Sequence, residues 1–133
     1  MTTPAPAKGG KILVLPGDHI GPEVVAEALK VLDLVEAHTG VKFEREFDLC
    51  GGCSLDKHGI ASTEEVLRKS AEADAVFFGS AGGPEWGHVQ PNPESGLLRV
   101  RERMQVCWLS FILEFCSGAC LLGFLGEGDA FHG

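Results

Sequence analysis

Lys11-Ile-Leu-Val-Leu15, closed by Pro16-Gly17, puts branched apolar side chains in unbroken succession. A run of that kind has no polar face. It fits a strand covered on both sides, the usual condition of a parallel sheet, rather than a strand with one face in water. Parallel neighbours need long crossovers, usually helical, so helices are expected around it. The next residues supply one. Pro22 stands where a first helical residue belongs, because its missing N–H costs nothing there. Val25, Ala28, Leu29, Leu32 and Val35 then recur at the spacing of one helical face, and Gly40 is a natural stop.

The same grammar continues downstream. Val41, Phe43, Phe47 and Leu49 alternate with Lys42, Glu44, Glu46 and Asp48, and only Arg45 interrupts the apolar set. This is the pattern of a half-buried strand. Ser62-Thr-Glu-Glu65 reads as a capping box, with the Ser62 hydroxyl bonding forward and Glu65 reaching back. A helix is predicted from there to about Ala73, carrying Val66, Leu67 and Ala71 inward. Ala75-Val-Phe-Phe-Gly79 is a further buried strand. Strand, helix, strand, helix, strand defines an α/β protein. A loop rich in glycine and proline, Ser80 to Pro93, leads to a short helix starting near Glu94 or Ser95, and there are no internal repeats.

At 133 residues the chain has room for one domain, and 44% hydrophobic with 23% charged residues is a globular composition. A formal charge of −8 argues against a nucleic-acid surface, though not against a local anion site. Met1 to Gly10 lack both the apolar core of a signal peptide and the Arg-rich pattern of a transit peptide. They are expected to be a disordered leader on a cytoplasmic protein. The five cysteines then argue against a disulfide framework. Cys50-Gly-Gly-Cys53 matches a redox pair or half a zinc site, with Cys116 and Cys120 the only candidate second pair. Gly51 and Gly52 make a poor first helical turn for a redox thiol, so the spacing is read as coincidence.

Three places carry residues fit for chemistry. Pro16-Gly-Asp-His-Ile-Gly-Pro-Glu23 is a tight strand-to-helix turn, either an anion site on backbone N–H groups or a plain turn. It is not G-x-G-x-x-G, so the dinucleotide fingerprint of the Rossmann fold is absent. Gly79-Ser-Ala-Gly-Gly-Pro-Glu-Trp-Gly87 follows an apolar strand, at the end of a sheet where α/β ligands collect. A structural loop with a buried Trp is the alternative. On the short helix, Glu94, Leu97, Leu98 and Arg101 share one face. A cation, branched apolar groups and a carboxylate together suit a small acid with an alkyl branch, with Arg101 holding a carboxylate. The competing reading is an amphipathic helix with Leu97 and Leu98 in the core.

Leu-Pro-Gly-Asp-His-Ile-Gly-Pro-Glu, Phe-Gly-Ser-Ala-Gly-Gly-Pro-Glu-Trp and Pro-Glu-Ser-Gly-Leu-Leu-Arg-Val-Arg stand here in order and at family spacing. Together they resemble the opening segments of 3-isopropylmalate dehydrogenases, the third enzyme of leucine biosynthesis. The resemblance covers Lys11 to Met104, and His19, where bacterial members often carry Gly, gives it a fungal cast. It implies a parallel α/β sheet with flanking helices, distinct from the Rossmann fold. It also implies an incomplete first domain, since members complete that sheet with C-terminal strands. Members oxidise 3-isopropylmalate at C2 with NAD and a divalent metal, Mg2+ or Mn2+, then decarboxylate and reprotonate the β-keto acid.

By that resemblance Gly83, Pro84, Glu85, Trp86, Gly87 and Glu94 border the nicotinamide end of NAD. Arg101 binds the substrate carboxylate, and Leu97 and Leu98 receive the isopropyl group. Sister isocitrate dehydrogenases typically place a serine in this helix, so Gly96-Leu97-Leu98 selects isopropylmalate. Full-length members are homodimers.

The departures from the family are equally informative. The family's second substrate arginine, catalytic lysine, metal-binding aspartates and adenine-binding segment are not found, and the sequence contains no Tyr. No residue is therefore assigned as catalytic or metal-binding, and the chain alone is expected to be inactive. From Gln105 to Gly133 there is no Lys or Arg, and apolar residues crowd without a helical stripe, as in an aberrant tail. Val106-Cys107 can be encoded by GTATGT, a common fungal splice donor, so one hypothesis is an unspliced intron. A frameshift or mistaken gene structure would look similar, and sequencing the transcript across Met104 to Trp108 decides. A rival reading makes Val106 to Gly126 a tail anchor on a binding module, against which Glu114 costs about 2.5–3.5 kcal/mol at mid-bilayer. A second rival is a sister decarboxylating dehydrogenase acting on isocitrate, homoisocitrate or tartrate.

Overall fold

The computed structural model describes residues 8–106. Strand β1 (Lys8–Gly17) is followed by helix α1 (Gly21–Thr39) and strand β2 (Lys42–Phe47). Helices α2 (Gly52–His58) and α3 (Glu64–Glu72) lead to strand β3 (Ala75–Ser80), a 3-10 turn at Pro84–Trp86 and helix α4 (Glu94–Met104). The three strands form one parallel sheet in the order β2-β1-β3. Val14 stands opposite Phe47 on one side and Phe77 on the other, so β1 is the central strand.

Both faces of β1 are covered, as its unbroken apolar run requires. Leu13 and Leu15 point into a core with Val66 and Leu67 of α3, Val100 of α4 and Cys50. Ile12 and Val14 point the other way, against Val25 and Leu32 of α1, with Leu29, Phe43 and Phe77 packed at the margin. Leu13, Val14 and Leu15 are wholly buried. Each contributes about 2 kcal/mol by removal from water.

A helix, α2, opens at Gly52, where Gly51 and Gly52 were expected to make a poor first turn; the other helices and strands are those expected, with local corrections. β1 begins at Lys8, so the last residues of the expected leader belong to the sheet. In α1 the inward stripe is Val25, Leu29, Leu32 and Glu36, while Ala28 and Val35 are exposed. At 100° per residue those two fall roughly a quarter turn to one side of the stripe. Glu36 tolerates burial because it accepts the Phe43 N–H at 3.1 Å and pairs with Arg45 at 3.0 Å and Lys42 at 3.2 Å. That network also explains why Arg45 occupies an apolar slot of β2. Phe47, expected inward, is exposed on this edge strand. α3 is capped by Thr63, whose Oγ1 accepts the Val66 N–H at 3.3 Å, one residue later than the capping-box reading. Glu65 pairs with Lys69 instead of reaching back, and Ser70 rather than Ala71 is buried. Gly40, at φ 72°, closes α1 as expected.

Candidate functional site

The parallel arrangement sends the carboxyl ends of β1 and β3 to the same edge of the sheet, and the three motif-bearing segments meet there. Gly17 leaves β1 at φ 74°, in van der Waals conflict with any side chain because the Ser80 carbonyl lies against its Cα. Asp18 follows, and its backbone N–H donates to that carbonyl at 2.8 Å. The Asp18 side chain is buried. Its carboxylate accepts three backbone N–H bonds, from Gly52 at 2.6 Å, Cys53 at 2.7 Å and Gly82 at 2.9 Å. These donors would cradle an exogenous anion, but the chain's own carboxylate takes them. Within the first turn itself, the Asp18 and Gly21 N–H groups bond the Ser80 and Asp18 carbonyls.

The loop after β3 is pinned at several points. Gly82 sits at φ 96°, with the Glu94 carboxylate of α4 where a side chain would be. The Trp86 indole packs on Gly52, and its Nε1–H donates to Asp56 at 3.0 Å. His19, in left-handed backbone at φ 49°, places Nε2 2.8 Å from Glu85 and its ring against Trp86, centroids 5.7 Å apart. Gly83, Pro84, Glu85, Trp86 and Gly87 thus form one short segment, with Glu94 brought to it through Gly82.

Leu97, Leu98 and Arg101 sit farther along α4. The opposite face of that helix is the packed one. Gly96 and Val100 are buried, and a Cβ on Gly96 would come within 2.6 Å of the Ala61 carbonyl oxygen. The Gly96-Leu97-Leu98 run therefore has a packing reason at its first position. Leu98 is 62% exposed, Leu97 and Arg101 are half-buried, and Glu94 is exposed, so neither leucine is a core residue. Arg99 bonds the Ser62 carbonyl at 3.1 Å and Glu64 at 2.7 Å, a structural use.

Cys53 lies in the first turn of α2, contrary to the expectation that Gly51 and Gly52 would not open a helix. Burial pushes the Cys50 thiol up to about 12, and burial with the nearby Asp18 carboxylate raises Cys53 too. Neither supplies a thiolate near neutrality. Among the described residues no three His, Cys, Asp or Glu side chains converge as metal ligands, so no step here is routed through a metal. Among them, too, no helix is long and apolar enough to cross a membrane; the candidate tail anchor lies outside the described residues, as do Cys116 and Cys120.

Asp18, His19 and Asp56 were not singled out from the sequence. Asp18 and His19 lie inside a motif that was, but nothing local indicates that a carboxylate at 18 meets amides at 52 and 82. Only the strand order does.

A parallel sheet of this order, with glycine loops and an apolar, cationic helix face at its carboxyl edge, matches a known family over most of the chain. The sequence profile of the isocitrate/isopropylmalate dehydrogenase family covers residues 11–109, and the chain belongs to that family. Among its relatives, the 3-isopropylmalate dehydrogenase of Hapsidospora chrysogena is 56% identical over 95 residues, covering 71% of this chain and 25% of the relative. The 3-isopropylmalate dehydrogenase of Vibrio cholerae is 54% identical over 99 residues, covering 72% and 27%. The crystal structure of a β-decarboxylating dehydrogenase from Thermococcus kodakarensis, in its apo form, superposes with a TM-score of 0.56 at 33% identity, covering 71% of this chain and 26% of that one. The chain spans about a quarter of the length of the curated relatives it matches.

Proposed function

We propose that this chain supplies the N-terminal part of an NAD-dependent 3-isopropylmalate dehydrogenase of leucine biosynthesis, working in the cytoplasm and as a homodimer when full-length. The observation that carries this reading is the solvent face of α4. Glu94, Leu97, Leu98 and Arg101 lie along it, opposite the packed Gly96 and Val100, with Glu94 reaching the loop at Gly82. In this reading Arg101 holds the carboxylate of 3-isopropylmalate by paired N–H bonds. Leu97 and Leu98 take the isopropyl group by apolar contact.

Gly83, Pro84, Glu85, Trp86 and Gly87, with Glu94, line the nicotinamide end of the dinucleotide. When bound, NAD accepts the hydride from C2. What these residues do is orient and shield: the loop excludes water from one side while the helix fixes the branched acid. A base for the C2 hydroxyl proton is not assigned here, and the Mg2+ or Mn2+ of the family finds no ligand set among the described residues.

The test is a chimera in which residues 11–104 replace the corresponding segment of the Vibrio cholerae relative. The chimera is expected to make NADH from 3-isopropylmalate, and the 133-residue chain to make none. In the chimera Leu98→Ser should lower kcat/KM for isopropylmalate by about 10- to 200-fold, the usual range for a lost apolar contact. An unchanged ratio of isopropylmalate to isocitrate turnover would remove the helix from the specificity site.

A further inference from the structure

Of the loop residues just assigned to the nicotinamide end, three are met by one side chain outside the loop. His19 Nε2 lies 2.8 Å from Glu85 Oε1, its ring tilts at 59° against Trp86, and its edge fills the space where a side chain on Gly83 would be. We infer that His19 is the positioning residue of this loop, a latch from the β1–α1 turn that sets Glu85 and Trp86 for the cofactor. The inference rests on the reading of the loop as cofactor-facing.

Two features make the contact more than incidental. His19 holds left-handed backbone, which only glycine adopts freely and Asn, Asp and His tolerate best. The turn that imposes this backbone is fixed by Asp18 through Gly52, Cys53 and Gly82. The ring is therefore aimed from a rigid base toward a segment whose side chains are partly open to solvent. The indole is also held by Gly52 and Asp56. Released from His19, Trp86 keeps one anchor and loses the other.

The latch is part charge and part ring contact. A protonated imidazole pairs with the Glu85 carboxylate, and a neutral one keeps the ring contact and a weaker hydrogen bond. Groups facing this pair are Glu85 in the 3-10 turn, Asp56 of α2 on the indole N–H, and Asp18 beside it in the turn. Glu94 stands behind Gly82, and His88 is two residues beyond Trp86.

The experiment uses the whole chain with Trp108→Phe, which leaves Trp86 as the single indole. Quenching of its emission by acrylamide is then measured. His19→Asn and His19→Gly both accept the left-handed backbone. Each should raise acrylamide quenching of Trp86 about twofold by loosening the loop, with the far-UV circular dichroism unchanged. Unchanged quenching in both variants overturns the inference. A purely structural role would lower the melting temperature without changing the access of acrylamide to Trp86. NAD is then added to the parent: absence of any Trp86 response counts against the cofactor reading, and leaves the latch result standing.

Discussion

Gly82 donates its backbone N–H to the buried Asp18 carboxylate over 2.9 Å, tying the loop after β3 to the end of β1 across the sheet edge. The same carboxylate takes the first amides of α2, so one side chain fixes three segments that are far apart in the chain.

Removing that carboxylate should therefore cost stability as well as loop order. Asp18→Ala leaves three N–H groups, that of Gly52 buried and those of Cys53 and Gly82 partly so, without a partner and is expected to lose about 4 kcal/mol, and Asp18→Asn, which keeps one acceptor oxygen, about 2 kcal/mol. Urea unfolding followed by circular dichroism measures both. Amide exchange at Gly82 should accelerate in Asp18→Asn even where the fold survives. A loss under about 1 kcal/mol in both variants would mean that water replaces the carboxylate at no cost.

Stability should fall in acid, and the structure says where. The Phe43 N–H, then Arg45 and Lys42, hold Glu36 down to about 2 from an ordinary 4.5, and Lys11 and Lys69 do the same for Glu46. Because the folded values lie below the unfolded ones, their stabilisation is complete above about 4.5 and is lost as pH drops toward about 2. The urea midpoint should thus decline between pH 5 and pH 2.5, and Glu36→Gln should decline less steeply. Parallel curves for the two proteins would show that Glu36 is not the linked group.

Gly96 and Leu98 lie on opposite faces of one helix, the first packed and the second exposed. A Cβ at Gly96 would stand 2.6 Å from the Ala61 carbonyl oxygen, so Gly96→Ala must lift α4 and is expected to cost about 2 kcal/mol. Leu98 is exposed, and Leu98→Ser should stay within about 0.5 kcal/mol of the parent. Thermal melts of the two variants decide, and a large loss in Leu98→Ser would return that residue to the core.

The fold is legible because four apolar residues in succession, closed by Pro16-Gly17, fit a doubly covered strand, and α1 and α3 follow from their apolar periods. Errors arose where two residues competed for one role. Ser62 and Thr63 both offer a capping hydroxyl, and only backbone geometry chooses Thr63. Glu36 sits at an apolar stripe position because Arg45, Lys42 and the Phe43 amide await it there, and those partners become neighbours only after folding. Gly51 and Gly52 argue against a helix by propensity, yet Gly51 at φ 98° turns the chain into α2, whose first two amides the distant Asp18 carboxylate takes. In the candidate site, the loop and the α4 face could be read from residue types, whereas the Asp18 and His19 contacts depend on β3 lying beside β1.

That last adjacency has a price in time. Ile12 pairs with Ala75, so the central strand is made early and finds its second neighbour only some sixty residues later. At a synthesis rate of about 5–20 residues per second, the interval is roughly 3 to 13 seconds. Through it, the most apolar stretch of the described chain has one side and one edge unprotected on the ribosome. Ile12 to Leu15 thus wait for their second neighbour until the chain has been made as far as Ala75 and beyond.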